Sequence, residues 1–114
     1  MTTNQGIEGT AFSFEVLPPM RGKSIESVYR TIDRLMPFNP RCINITTHRS
    51  ETIYHELSNG TFEKLSMRTR PGTVAIAAAI KGRYGVTTIP HVICSGFSAA
   101  EIEEELFDLS FLGI

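Results

Sequence analysis

Three alternations of a strand pattern with a helix pattern constrain the fold of this 114-residue chain more than any other feature. Apolar runs predict strands at residues 11–17, 41–46 and 87–94. Each run is followed by apolar residues at helical spacing, which predict helices that begin near Ser24, Pro71 and Ser98. Because strand–helix repeats join parallel strands through right-handed crossovers, the sequence predicts an α/β protein with a parallel sheet.

The predicted helices carry recognisable end signals. Pro37 closes the first helix, and the Tyr84-Gly85 pair ends the second. Ser98 and Glu101 have the spacing of a capping box at the start of the third helix. The buried stripe of that third helix is expected to consist of Ile102, Leu106 and Leu109.

A polar stretch separates the second strand from the second helix. Its Asn59-Gly60 pair lies between two short runs of strand-forming residues, which favours a β-hairpin. We therefore expect a hairpin-like insert at about residues 51–70. Residues 1–10 are expected to form an N-terminal tail, and residues 11–114 the strand–helix region.

Composition excludes several classes of protein. The net charge of −1 gives no positive electrostatic field that would attract nucleic acid, and no apolar run is long enough to span a membrane. The N-terminus carries no secretory pattern, so the expected location is cytoplasmic. Cys42 and Cys94 lie within predicted strands and are expected to be buried free thiols. Since three parallel strands leave two unpaired edges, the sequence is expected to be the front of a larger protein.

Three chemically active side chains occupy matching positions near the carboxyl ends of the predicted strands: Glu15, Thr46 and His91. Parallel neighbouring strands would bring them to one edge of the sheet, where α/β proteins commonly place their sites. Each residue also has a structural interpretation. Glu15 would pair with a basic residue between sheet and helices, His91 would be a core histidine, and Thr46 would simply favour a strand. Pro90 is expected to introduce a bulge that re-aims His91.

A metal site is the competing use of the histidines and cysteines. The sequence has neither a Cys-x-x-Cys nor a His-x-x-x-His pair, so no ligand spacing typical of zinc is present. No metal is therefore predicted.

Three motifs in order resemble the flavin-dependent methylenetetrahydrofolate reductases: Phe14-Glu15-Val16-Leu17-Pro18-Pro19, Asn44-Ile45-Thr46-Thr47-His48 and Ile89-Pro90-His91-Val92. The resemblance covers nearly the whole chain from Ala11 onward. It implies the (β/α)8 TIM-barrel class, of which this chain would resemble the first three βα units.

The resemblance also implies an activity, cofactors and site residues. NAD(P)H would reduce non-covalently bound FAD, which would reduce 5,10-methylenetetrahydrofolate to 5-methyltetrahydrofolate for methionine biosynthesis. Glu15 matches the family's proton donor, and Thr46 a position near the flavin and nicotinamide. Thr47, His91 and Arg49 match flavin-contacting positions. The partners implied are a folate substrate and, in the full-length protein, further copies of the chain.

The sequence departs from many relatives after the second strand, where Tyr-Gly-Ala is replaced by Thr47-His48-Arg49. Two other functions remain open on the residues alone. One is a small non-flavin α/β binding module that completes its sheet by self-association. The other is a different barrel enzyme that uses Glu15 and His91 as an acid–base pair.

Overall fold

The computed structural model describes residues 9–47 and 50–114, and within them it has the predicted strand–helix order. The helices and strands, with their bounds, are β1 (Ser13–Val16), α1 (Glu26–Leu35), β2 (Cys42–Ile45), β3 (Glu51–Glu56), β4 (Phe62–Met67), α2 (Thr73–Tyr84), β5 (Thr87–Pro90) and α3 (Ala99–Phe111). A short 3-10 turn at Met36–Phe38 follows α1. The predicted tail at residues 1–10 lies almost wholly outside the described residues.

Strands β1, β2 and β5 form a parallel sheet in that order. The register places Glu15 opposite Asn44, and Asn44 opposite Ile89. Side chains alternate between the two faces of a strand, so these three residues share one face of the sheet. The opposite face carries Phe14, Val16, Ile43, Ile45 and Thr88.

Helices α1 and α2 cover only that second face. Ile32, Ile43, Ile45 and Ile80 are fully buried there and form the centre of the apolar core. The first face remains open, because Glu15 and Ile89 are exposed and Asn44 is only half-buried. Parallel sheets are normally covered on both faces. The structural interpretation that places Glu15 between the sheet and its helices is therefore wrong, because Glu15 lies on the face opposite the helices.

The predicted hairpin is confirmed. Strands β3 and β4 pair antiparallel, from Glu51 opposite Met67 to Glu56 opposite Phe62. Gly60 has a φ of +80°, a conformation that glycine adopts without strain. At the base of the hairpin, the Arg21 N–H donates to the Thr69 carbonyl at 2.6 Å, and the Arg70 guanidinium donates to the Pro18 carbonyl.

The helix-end signals are confirmed. Gly85 ends α2 in the left-handed region, with a φ of 66°. Ser98 accepts a hydrogen bond from the Glu101 N–H at 3.2 Å, and the Glu101 carboxylate accepts one from the Ser98 N–H at 2.7 Å. Of the expected α3 stripe, Leu109 is buried and Ile102 is half-buried, but Leu106 is exposed. The expectation for Leu106 is therefore wrong, since neither of the helices α1 and α2 covers it.

Two predictions about the end of the sheet are also wrong. β5 ends at Pro90 rather than near residue 94, with one further backbone hydrogen bond to β2 from His91. Pro90 pairs in unbroken register with Ile45, so the described sheet has no bulge there. Cys94 lies beyond the strand and is exposed, whereas Cys42 lies in β2 and is half-buried. Within the described residues, no helix is long and apolar enough to cross a membrane.

Candidate functional site

The carboxyl ends of the three parallel strands lie side by side, as the sequence predicts. The ladder continues one residue past β2, where the Thr46 N–H donates to the Val16 carbonyl at 3.0 Å. It also continues past β5, where the His91 N–H donates to the Ile45 carbonyl at 2.9 Å. These two backbone hydrogen bonds fix the first residue after each strand against its neighbour.

Glu15, Thr46 and His91 are brought together by this arrangement. The Thr46 hydroxyl donates a hydrogen bond to the Glu15 Oε1. The same carboxylate oxygen lies 3.8 Å from the His91 Nδ1. The carboxylate is therefore held from two sides, by groups from the two neighbouring strands of the sheet.

The site is open to solvent. The side chain of Glu15 is 57% exposed and that of His91 is 39% exposed. Glu15 Oε1 accepts from Thr46, while Oε2 has no hydrogen-bond partner among the residues that the structure describes. The carboxylate can thus be oriented through one oxygen while the other remains available to a bound molecule.

Thr47 and Arg49 are the other predicted site residues. Thr47 lines a neighbouring cleft of about 500 Å³ between the hairpin base and helices α2 and α3, together with Arg68, Arg70 and Phe97. Among the described residues, no hydrogen bond or ion pair joins Thr47 to Glu15. Arg49 lies outside the described residues, as does His48.

Sequence reasoning missed one residue that supports the site. Thr73, the first residue of α2, is only 3% exposed. Its hydroxyl donates a hydrogen bond to the His91 carbonyl at 3.0 Å. This bond ties the start of α2 to the segment that carries His91. The only signal in the sequence is a threonine between Gly72 and an apolar run, which is equally typical of an ordinary helix start.

The histidines and cysteines do not gather into a metal centre within residues 9–47 and 50–114. No group of three or more His, Cys, Asp or Glu side chains there is placed to hold a metal ion. The chemistry of the described cluster is therefore that of a carboxylate, a hydroxyl and an imidazole at a strand-end edge. These are groups for hydrogen bonding and proton transfer.

An α/β sheet with proton-transfer groups at the carboxyl ends of its parallel strands has the arrangement common to many α/β enzymes. A comparison with protein-family models matches residues 2–114 to the family described as methylenetetrahydrofolate reductase. The chain belongs to the methylenetetrahydrofolate reductase family, a family of oxidoreductases in one-carbon metabolism. Neither the curated proteins nor the solved structures include a match to this chain.

Proposed function

We propose that this chain supplies part of a flavin-dependent methylenetetrahydrofolate reductase that works in the cytoplasm. The reaction is the reduction of 5,10-methylenetetrahydrofolate to 5-methyltetrahydrofolate, with NAD(P)H as the source of the hydride and FAD as its carrier. The observation that carries the proposal is the cluster of Glu15, Thr46 and His91 at the strand ends. The family membership supports the same reaction.

We further propose that residues 11–114 contribute the first three βα units of an eight-stranded barrel, with residues 51–70 as an insert at its mouth. The open face of the sheet supports this architecture. A barrel would enclose that face with its remaining strands and place Glu15 and Asn44 inside. Since the open face lacks this cover, the 114 residues alone are expected to be inactive.

The strand-end residues fit a flavin in their chemistry. FAD would supply hydride transfer when bound, and it presents hydrogen-bonding atoms along its ring system. Thr46, Thr47 and His91 offer hydroxyl and imidazole groups, and Arg49 would add a guanidinium. The exposure of His91 leaves its imidazole accessible for such contacts.

Glu15 has a distinct role in this proposal. The folate substrate must open a ring C–N bond to become an acceptor for hydride, and the departing nitrogen then takes the electron pair and needs a proton. A protonated Glu15 would deliver that proton as a general acid. Thr46, bound to Oε1, orients the carboxyl group so that Oε2 faces the bound molecule.

The test uses the full-length natural protein and separates its two half-reactions. Glu15→Gln should leave the reduction of flavin by NAD(P)H intact, because no proton is required from Glu15 in that step. It should slow the reduction of the folate by about 10²–10⁴-fold, the usual contribution of a general acid. Glu103→Gln, on the exposed side of α3, is the matched control and should change neither.

Two results would contradict the proposal. If full-length protein supplied with FAD shows no flavin absorbance in the visible range, the proposed cofactor is wrong. If Glu15→Gln slows both half-reactions equally, Glu15 supports the structure rather than the proton transfer.

A further inference from the structure

The hairpin formed by β3 and β4 stands largely in solvent. Ile53 and Leu65, which face each other across the strands, are its only half-buried strand residues. Two large aromatic side chains are unusually exposed: Tyr54 at 67% and Phe62 at 63%. An isolated two-stranded hairpin is marginally stable in water, so a segment of this kind gains stability from an additional strand.

Each hairpin strand has one unpaired edge in the described part of the chain. The Leu57 N–H donates to the Thr61 carbonyl, and the hydrogen-bonded pairs of an antiparallel ladder then alternate along the strands. Residues 51, 53 and 55 therefore bond to β4. The backbone groups of Thr52, Tyr54 and Glu56 point to the free edge of β3, where they can pair with another strand.

We propose that β3 is a dimerisation strand that pairs antiparallel with β3 of a second copy of this chain. The twofold axis passes between the two copies of Ile53, and the hairpins form a continuous four-stranded sheet. In this register Glu51 lies opposite His55 of the second copy, so a carboxylate faces an imidazole twice across the axis. Thr52 lies opposite Tyr54, a favourable pairing of a β-branched residue with an aromatic one.

The other registers of β3 lack this complementarity. Centring the pair on Thr52 places Glu51 opposite Ile53, and centring it on Tyr54 places Ile53 opposite His55. Of these three registers, only the Ile53-centred one places the Glu51 carboxylate opposite the His55 imidazole, whose ring N–H can donate a hydrogen bond to it. It also contains no like-charge pair, since Glu56 then faces Ser50.

The free edge of β4 does not offer an equivalent surface. Centring its self-pairing on Glu63 or Lys64 places two like charges opposite each other, and centring it on Ser66 places Lys64 opposite Arg68. The Leu65-centred register avoids repulsion but forms no pair of opposite charges. Lysine on an edge strand commonly discourages such pairing. Since pairing through β3 uses the same surface on both copies, it closes at the dimer.

The first test is the mass of the full-length protein in solution, measured by sedimentation across a range of concentrations. Thr52→Pro removes an outward N–H but leaves the hydrogen bonds to β4 intact. Because the twofold axis repeats the loss, it should raise the dimer dissociation constant roughly tenfold or more. Ser66→Pro, directly across the hairpin from Thr52, makes the same change on the free edge of β4 and should leave the dimer unchanged.

The second test is a cross-link in a Cys94→Ser background, which removes the exposed native thiol. Ile53→Cys would place two thiols in a non-hydrogen-bonded pair with Cα atoms about 4.5 Å apart, within disulfide range. Mild oxidation should then link two chains covalently. Thr52→Cys is the control, because its two copies would lie out of register by two residues, roughly 8 Å apart, and should not link.

Three results would overturn the proposal: a full-length protein that is monomeric at all concentrations, equal effects of the two proline substitutions, or equal cross-linking of the two cysteine variants. An oligomer that survives Thr52→Pro would use a different surface. None of these results depends on flavin or folate chemistry, so the proposal can fail while the proposed function stands.

Discussion

Two buried threonines offer a sharp test of how the site segment is held. Thr73 is 3% exposed and its hydroxyl donates to the His91 carbonyl at 3.0 Å. Thr88 is 4% exposed, and its hydroxyl has no hydrogen-bond partner among the described residues. Substitution to valine removes either hydroxyl with little change in volume. We expect Thr73→Val to destabilise the protein and Thr88→Val to stabilise it.

The magnitudes follow from hydrogen bonding and burial. Thr73→Val leaves the His91 carbonyl without its donor, which costs about 1–3 kcal/mol for a buried group. Because His91 is only half-buried, water can replace part of the lost bond, and we expect about 1–2 kcal/mol. Thr88→Val removes a buried hydroxyl that has no hydrogen-bond partner among the described residues. We therefore expect it to raise the free energy of unfolding by about 1 kcal/mol. The two variants should therefore differ by about 2–3 kcal/mol in the free energy of unfolding.

The assay is urea unfolding of the full-length protein followed by circular dichroism, with the slope of the transition compared between variants. Thr73→Ser is the control, because it keeps the hydroxyl. In the flavoprotein proposed above, Thr73→Ser should retain the flavin affinity of the original protein, whereas Thr73→Val should weaken it by shifting His91. If Thr73→Val is as stable as the original protein, or if Thr88→Val is destabilised as much as Thr73→Val, the hydrogen-bond argument is wrong.

Two further predictions concern helices α2 and α3. Partial burial and the carboxylate of Asp33, 2.7 Å from the phenol oxygen, raise the pKa of Tyr84 from its usual 10 to about 12. A folded state that holds this proton more tightly is stabilised fully below pH 10 and loses that stabilisation as the pH rises through 12. The stability difference between the original protein and Tyr84→Phe should therefore shrink between pH 10 and 12 in urea titrations, and a constant difference would refute the assignment. Ser98→Ala removes the hydroxyl half of the α3 capping box and should cost about 1 kcal/mol, measured by the same unfolding assay, whereas Ser98→Asp should restore most of it.

The order of the strands and helices could be predicted from the sequence because its signals are local. Apolar periodicity, Pro37, Gly85, the Asn59-Gly60 turn and the Ser98 cap each act within a few residues. The grouping of Glu15, Thr46 and His91 could also be predicted, since parallel strands end at a common edge. Their contacts therefore required only the correct order of strands.

The predictions that failed depend on what covers a residue, and this is not a local property. Glu15 and Leu106 stand in apolar sequence, yet neither is covered by another element of the described structure. Cys94 follows an apolar run but lies beyond the end of β5 and is exposed. Burial depends on the neighbours that tertiary packing provides, which a periodic pattern does not identify.

The sequence by itself determined the helices, the strands, the hairpin and the edge at which the candidate site lies. The tertiary structure decided which face of the sheet is open. It also distinguished Thr73, whose hydroxyl donates to the His91 carbonyl, from Thr88, whose hydroxyl has no hydrogen-bond partner among the described residues. The two threonines have similar local sequence preferences. They differ because a hydrogen bond requires an acceptor about 3 Å away, and for Thr73 that acceptor comes from a residue 18 positions later in the chain.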